Sequence, residues 1–165
     1  MISELQAFAG FPCLIFPASG ALGKDVEAIQ NKLNGFLPGW NSHGSPVQGG
    51  FVILEDRFVI VAHRPMEISG CSRDDLLFSM QDLGKALGLE WQGAARIFYR
   101  DSNGRIENVD RLEFKRRVQE GLITPDTIVF DTTLREVNPI LEGRFALRAS
   151  QSWHARLMEA ALKPA

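Results

Sequence analysis

Cys71 stands in the stretch Ser69-Gly70-Cys71-Ser72-Arg73-Asp74, ahead of an amphipathic run, where a thiol can act as a nucleophile. If Ser72 caps the helix that follows, Asp75 falls at its third position and completes a Ser-x-x-Asp capping box. Free amides and the positive end of such a helix favour a thiolate, and Gly70 lets another group approach the backbone. Asp74 and Asp75 oppose this, because carboxylates in the first turn repel a developing thiolate. The same spacing fits a second reading, in which Cys71 is a small apolar plug lying against Leu76 just before the cap. Reactivity at the thiol therefore needs a base or a cation from elsewhere in the chain.

The chain has three histidines. His43 lies in Trp40-Asn41-Ser42-His43-Gly44, a loop-like stretch in which an aromatic ring, an imidazole and a glycine can wall a shallow pocket. His63 ends an apolar strand and reads as a polar residue where that strand emerges. His154 follows Trp153, with Arg156 two residues on. Cys71 with His43 or His154 as proton acceptor suffices for acyl or thiol chemistry, and Arg156 with the helix start near Ser72 suits an anionic group. His43, Cys71 and His154, completed by Asp131 or water, are also ligand types that suit zinc. Their separations match neither a zinc finger nor a His-Glu-x-x-His pattern, so no metal and no other cofactor is assigned.

The stretch from Ala18 to Asp25 follows a strand and opens a helix, which is the setting of a phosphate-binding loop. A P-loop needs a hydroxyl after its lysine, and here Asp25 follows Lys24 while Ala18 replaces the first glycine. Asp25 also puts negative charge where phosphate would sit. This stretch reads as a helix cap.

The elements that must position these residues follow from periodicity. Residues 12–18 form a short strand between prolines, suited to an edge. Val26, Ile29, Leu33, Phe36 and Leu37 recur at helical spacing until Pro38-Gly39. Residues 41–50 are loop by composition. Strands over 50–54 and 57–63 form a hairpin, and Leu76, Met80, Leu83 and Leu87 define a helix over 74–89. Strands over 95–100 and 105–109 flank a turn at Asp101–Gly104. The order βαββαβ predicts an α+β fold with a ferredoxin-like antiparallel sheet and helices on one face, over residues 1–104. Residues 105–165 are expected to extend that sheet or pack on it within a single domain. There Asp110 and Glu113 resemble a capping box with Val109 and Phe114 as its staple, in a helix that stops at Gly121. Strands over 127–131 and 144–149 and a closing helix after Ser152 complete the chain.

With 165 residues, 45% apolar and 23% charged, the chain is long enough for one well-packed core. Eighteen basic residues against 20 acidic ones leave a net charge of −2, so no positive field gathers nucleic acid or anionic lipid. Lys115, Arg116 and Arg117 lie beside Glu113 and Glu120 and read as a solvated helix face. Glu4, Pro12 and Pro17 break any secretory or membrane pattern near the start, so a cytoplasmic address and no membrane partner are expected. In that reducing setting Cys13 and Cys71 read as two free thiols.

Four short stretches, WNSHG (40–44), SGCSRD (69–74), DTIVFD (126–131) and SWHAR (152–156), resemble motifs of a family of uncharacterised bacterial proteins. Some members carry the label "ABC transporter ATPase". The resemblance covers residues 40–157 and implies that Trp40, His43, Cys71, Asp74, Asp131, Trp153, His154 and Arg156 share one site. It carries no mechanism: the chain lacks a usable P-loop, Ile68-Ser69-Gly70-Cys71-Ser72 departs from an LSGGQ-type signature, and ATPase activity is not expected. Three functions remain open. The first is a small-molecule site, catalytic or not, with Cys71, His43 and His154 at its centre and Trp40, Ser72, Asp74, Asp131, Trp153 and Arg156 around it. The second is a zinc site. The third is an inert interaction module, alone or as a homo-oligomer, in which Arg156 pairs with Asp74 or Asp131 and the motifs serve packing.

Overall fold

A computed structural model of the chain describes residues 1–164. Its regular elements are, in order, β1 (Cys13–Pro17), α1 (Val26–Phe36), β2 (Asn41–Ser42), β3 (Ser45–Pro46), β4 (Gln48–Leu54), β5 (Phe58–Arg64), α2 (Gly70–Leu87), β6 (Ile97–Arg100), β7 (Ile106–Val109), α3 (Arg111–Gln119), β8 (Ile128–Phe130), α4 (Val137–Leu141), β9 (Ala146–Arg148) and α5 (His154–Leu162). Short 3-10 turns occur at Ile2–Phe8, Gly23–Asp25, Leu37–Gly39 and Ala149–Gln151. The α+β class expected from the sequence is what the structure has. Among the described residues no helix is long and apolar enough to cross a membrane.

The chain divides into two compact units. The first comprises Met1–Gln92 and Leu134–Leu141, the second Gly93–Thr133 and the residues from Glu142. The subdivision expected at 104/105 falls inside the β6–β7 turn, where the Asp101 carboxylate accepts from the amides of Asn103 and Arg105 at 2.8 and 2.9 Å.

The first unit is built on an antiparallel sheet of order β1-β5-β4, with Cys13 opposite Ala62 and Phe51 opposite Val61. On one face Leu14, Phe16, Val59 and Val61 pack with Ile29 and Leu33 of α1 and with Leu76, Met80 and Leu83 of α2. Strand alternation puts the remaining side chains on the opposite face, beneath the 3-10 turn Ile2–Phe8. Gly49 and Gly50 are required by close approach from both sides. A Cβ on Gly49 would lie 2.6 Å from Leu37, and one on Gly50 would lie 2.4 Å from the Phe8 ring.

The strand expected to complete this sheet, residues 95–100, does not belong to it. Its β6 pairs with β7 and β8 in a second antiparallel sheet of order β7-β6-β8-β9, in the other unit. The free edge of β1 is bordered by shorter pieces. Pro17 accepts from the amide of Gln92 at 2.7 Å, Ser19 donates to the Glu90 carbonyl at 2.8 Å, and Cys13 donates to the Arg135 carbonyl at 2.9 Å. Residues 134–141 thus return to the first unit and bury Val137 and Ile140 completely.

In the second unit Ile97, Tyr99, Val109 and Val129 pack with Phe114 and Val118 of α3 and with Met158 and Ala161 of α5. The Asp110 cap forms as expected, accepting from the Glu113 amide at 2.8 Å. The Glu113 carboxylate turns to Arg116 and Arg117 at 2.6 and 2.9 Å, and these bonds hold its pKa down at about 2.

Candidate functional site

The cap of helix α2 lies three residues before the one expected at Ser72. It is Ser69, whose Oγ accepts from the Ser72 amide at 3.1 Å. Cys71 therefore sits in the first helical turn and is exposed, which overturns its reading as a buried plug against Leu76. Asp74 is exposed on the next turn. Ser72, not Cys71, is the buried residue here: its hydroxyl lies 2.6 Å from Ser69 Oγ and donates to the Asn41 carbonyl at 2.6 Å.

The stretch 41–46, expected as loop, forms a miniature hairpin in which Ser42 lies opposite Ser45. His43 and Gly44 make its two-residue turn with φ of 51° and 80°, both left-handed, as a type I′ turn demands. His43 is consequently an exposed turn tip. The strands beneath it are fastened to α2: Ser42 Oγ accepts from the Ser69 amide at 2.9 Å, and the Trp40 indole donates to the Ser72 carbonyl at 2.8 Å. Trp40 is 3% exposed and meets His63 edge-on, with ring centroids 5.8 Å apart. His63 is itself buried and its Nδ1 donates to the Pro65 carbonyl at 2.9 Å. Burial pushes its pKa down, the Pro65 bond resists, and the nearby Arg73 charge pushes the same way as burial.

A depression of about 490 Å³ between α1 and α2 is lined by Lys32, Phe36, Trp40, Asp75, Phe78 and Asp82 among others. Of the pocket expected from Trp40 and His43, Trp40 lines this depression while His43 does not, and neither does Cys71. Cys13 is a free thiol within β1, and burial pushes its pKa up to about 12, with Arg135 opposing and Glu136 adding to the rise.

The remaining candidate residues lie in the second unit, and three of them converge there. Asp131 accepts from the Thr133 amide and hydroxyl at 3.0 and 2.5 Å and from the Trp153 indole at 3.2 Å. Trp153 stacks on His154 with centroids 3.9 Å apart and planes 24° from parallel. His154 is 1% exposed, has Ser152 Oγ 2.9 Å from its Nδ1, and lies near the Phe114 ring. Burial pushes its pKa down to about 4 despite the raising influence of Asp131. An imidazole enclosed in this way stays neutral and has little access to an incoming ligand. Arg156 is exposed on α5.

The residues that organise this region and escaped sequence reading are Ser42 and Ser69. The signal for Ser69 was present as the pair Ser69-x-x-Ser72 after apolar Ile68, whereas nothing in the sequence marks Ser42 as its partner. Among the described residues no three His, Cys, Asp or Glu side chains gather to hold a metal ion. No protein-family model matches the chain, and neither a curated protein nor a solved structure matches it.

Proposed function

We propose that the chain is a non-catalytic interaction module in which the residues flanking those expected to react fasten segments together. The observation that carries this reading is the trio of hydrogen bonds joining residues 40–42 to the start of α2, from the Trp40 indole, the Ser69 amide and the Ser72 hydroxyl. The burial of His154 between Trp153 and Phe114 supports it in the second unit. The order β1-β5-β4 with α1 and α2 on one face further supports a ferredoxin-like reading of the first unit, its fourth strand broken into the pieces that border β1.

A second reading keeps Cys71 as the centre of a small-molecule site with His43 as proton acceptor. It rests on the exposure of both side chains. Iodoacetamide labelling of the native protein, read by mass spectrometry, separates the two. Cys71 is expected to label while Cys13 does not, and the rate at Cys71 is expected to be the same in His43→Ala. A general base contributes roughly a hundredfold or more, so a loss of that order in His43→Ala would overturn the module reading in favour of the site.

A further inference from the structure

Strand β4 is an edge of its sheet, and its pairing with β5 shows which backbone groups it leaves free. The His63 amide donates to the Pro12 carbonyl and the Arg57 carbonyl accepts from Ala18, so the odd-numbered residues of β5 turn their backbone toward β1. Their partners across the β4–β5 ladder are Gly49, Phe51 and Ile53. In an antiparallel pair such partners point their N–H and C=O groups away from each other. Gly49, Phe51 and Ile53 therefore present their N–H and C=O groups outward. Among the described residues no hydrogen bond reaches these groups, whereas two residues before Gly49 the Val47 amide is taken by the Trp40 carbonyl at 2.9 Å.

Natural sheets blunt an open edge with lysine, proline, a bulge or a cover. The sequence Gln48-Gly49-Gly50-Phe51-Val52-Ile53-Leu54 holds no charge and no proline. The edge instead forms the floor of a groove of about 660 Å³, with Val26, Gln30, Asn34 and Leu37 along the α1 side and Glu4 along the 3-10 turn. From Gly49 to Ile53 it spans about 13 Å, the length of five extended residues.

We propose that β4 is a docking edge that accepts, as an added strand, an extended segment of another polypeptide with apolar and basic side chains in alternation. This deepens the module reading above, on which it rests, by naming the surface and the partner. The backbone groups of Gly49, Phe51 and Ile53 supply the ladder. Alternate side chains of the incoming strand face the two walls in turn, one apolar at Val26 and Leu37 and the other acidic at Glu4, with Asp56 at the far end. The lining has no lysine or arginine, and its one cation, the Met1 ammonium, pairs with Glu4 at 2.9 Å; with Asp56 the groove keeps a net negative charge, so a basic partner is complementary and an acidic one is repelled. A second copy of this chain fits less well, because its own β4 is recessed between the same walls and carries the same acidic charge.

The test uses the full chain and a fluorescein-labelled peptide of alternating valine and lysine, seven residues long. Its controls are a valine–glutamate counterpart and a valine–lysine peptide interrupted by proline. Anisotropy is expected to show saturable binding of the first alone, and amide exchange at Phe51 and Ile53 is expected to slow at least tenfold in the complex. Glu4→Lys should weaken binding severalfold. Ile53→Pro removes an outward N–H without touching the β5 ladder, and should abolish binding while the Val59 and Val61 amides stay protected. Equal binding of the three peptides, or binding that leaves the Phe51 and Ile53 amides unprotected, overturns the proposal. So does self-association that protects the same amides without peptide, since the occupant is then a second copy. If the peptide fails while Cys71 labelling stays independent of His43, the edge is lost and the module reading survives. If labelling depends on His43 while the peptide binds as expected, the module reading falls and the edge remains.

Discussion

At the scale of single residues, His154 shows how enclosure decides chemistry. Its folded pKa of about 4 lies below the ordinary 6.5, chiefly because burial disfavours the charged ring. Between these values the unfolded chain binds a proton that the folded protein does not, so stability rises with pH across that window. The contribution is complete above pH 6.5, is lost progressively as the pH falls toward 4, and amounts to about 3 kcal/mol. The charge acting on the ring is Asp131, which favours protonation, and Arg111 lies beyond the stacked Trp153, its guanidinium 6.0 Å from that ring. Denaturant unfolding of the native protein at a series of pH values is expected to show this loss. His154→Gln should be less stable at neutral pH yet have a shallower slope between pH 6.5 and 4, and an unchanged slope would mean that another group titrates there. The sequence makes His154 a candidate base because an imidazole beside a tryptophan and an arginine is chemically suggestive. It contains nothing that reports the ring's burial against Phe114, forty positions away.

At the scale of elements, the start of α2 was legible in kind and displaced in position. Both Ser69 and Ser72 precede the apolar stripe of Leu76, Met80 and Leu83, and local pattern does not rank them as caps. Tertiary contact does, because Ser42 and Asn41 engage the pair only when Ser69 is the cap and Ser72 lies one turn in. The α1 stripe, the β4–β5 hairpin and the Asp110 cap were readable because each repeats or pairs within a few residues. The 3-10 turn Ile2–Phe8 and the five-residue α4 were not, since neither has enough turns for periodicity to emerge and α4 carries Pro139. The shared hydroxyl contact has a measurable signature. Ser69→Ala and Ser72→Ala are each expected to cost about 1 kcal/mol. Because the two oxygens lie 2.6 Å apart, the double variant should depart from the sum by about 0.5 kcal/mol or more. Additive losses in denaturant unfolding would show that the contact contributes nothing beyond the two separate bonds.

At the scale of the whole molecule, the first unit is discontinuous in sequence, and this is what pattern reading could least reach. Alternation within 95–100 identifies a strand but does not say which sheet receives it; the expected ferredoxin-like sheet includes it with no strand order given, whereas it pairs elsewhere and leaves the outer edge of β1 without it. That edge is finished instead by residues 90–92 and by the returning segment 134–141. The return fixes Phe11 and Cys13 through the backbone of Val137 and Arg135, and Asn138 accepts from the Gly10 amide at 2.7 Å. It also buries Val137 and Ile140, which together are worth about 4 kcal/mol at the usual value for enclosed aliphatic side chains. A loss of that size is a large share of the stability of a small unit. A chain cut after Gln92 is therefore expected to lose cooperative unfolding and to associate through the uncovered β1 edge. Rejoining residues 134–141 to it through a flexible glycine–serine linker should restore a sigmoidal transition, because only the returning segment is missing. Circular dichroism during thermal unfolding reads both outcomes. If the cut chain melts as cooperatively as the rejoined one, the returning segment is an ornament on a sheet that β1, β5 and β4 already hold together with their helices.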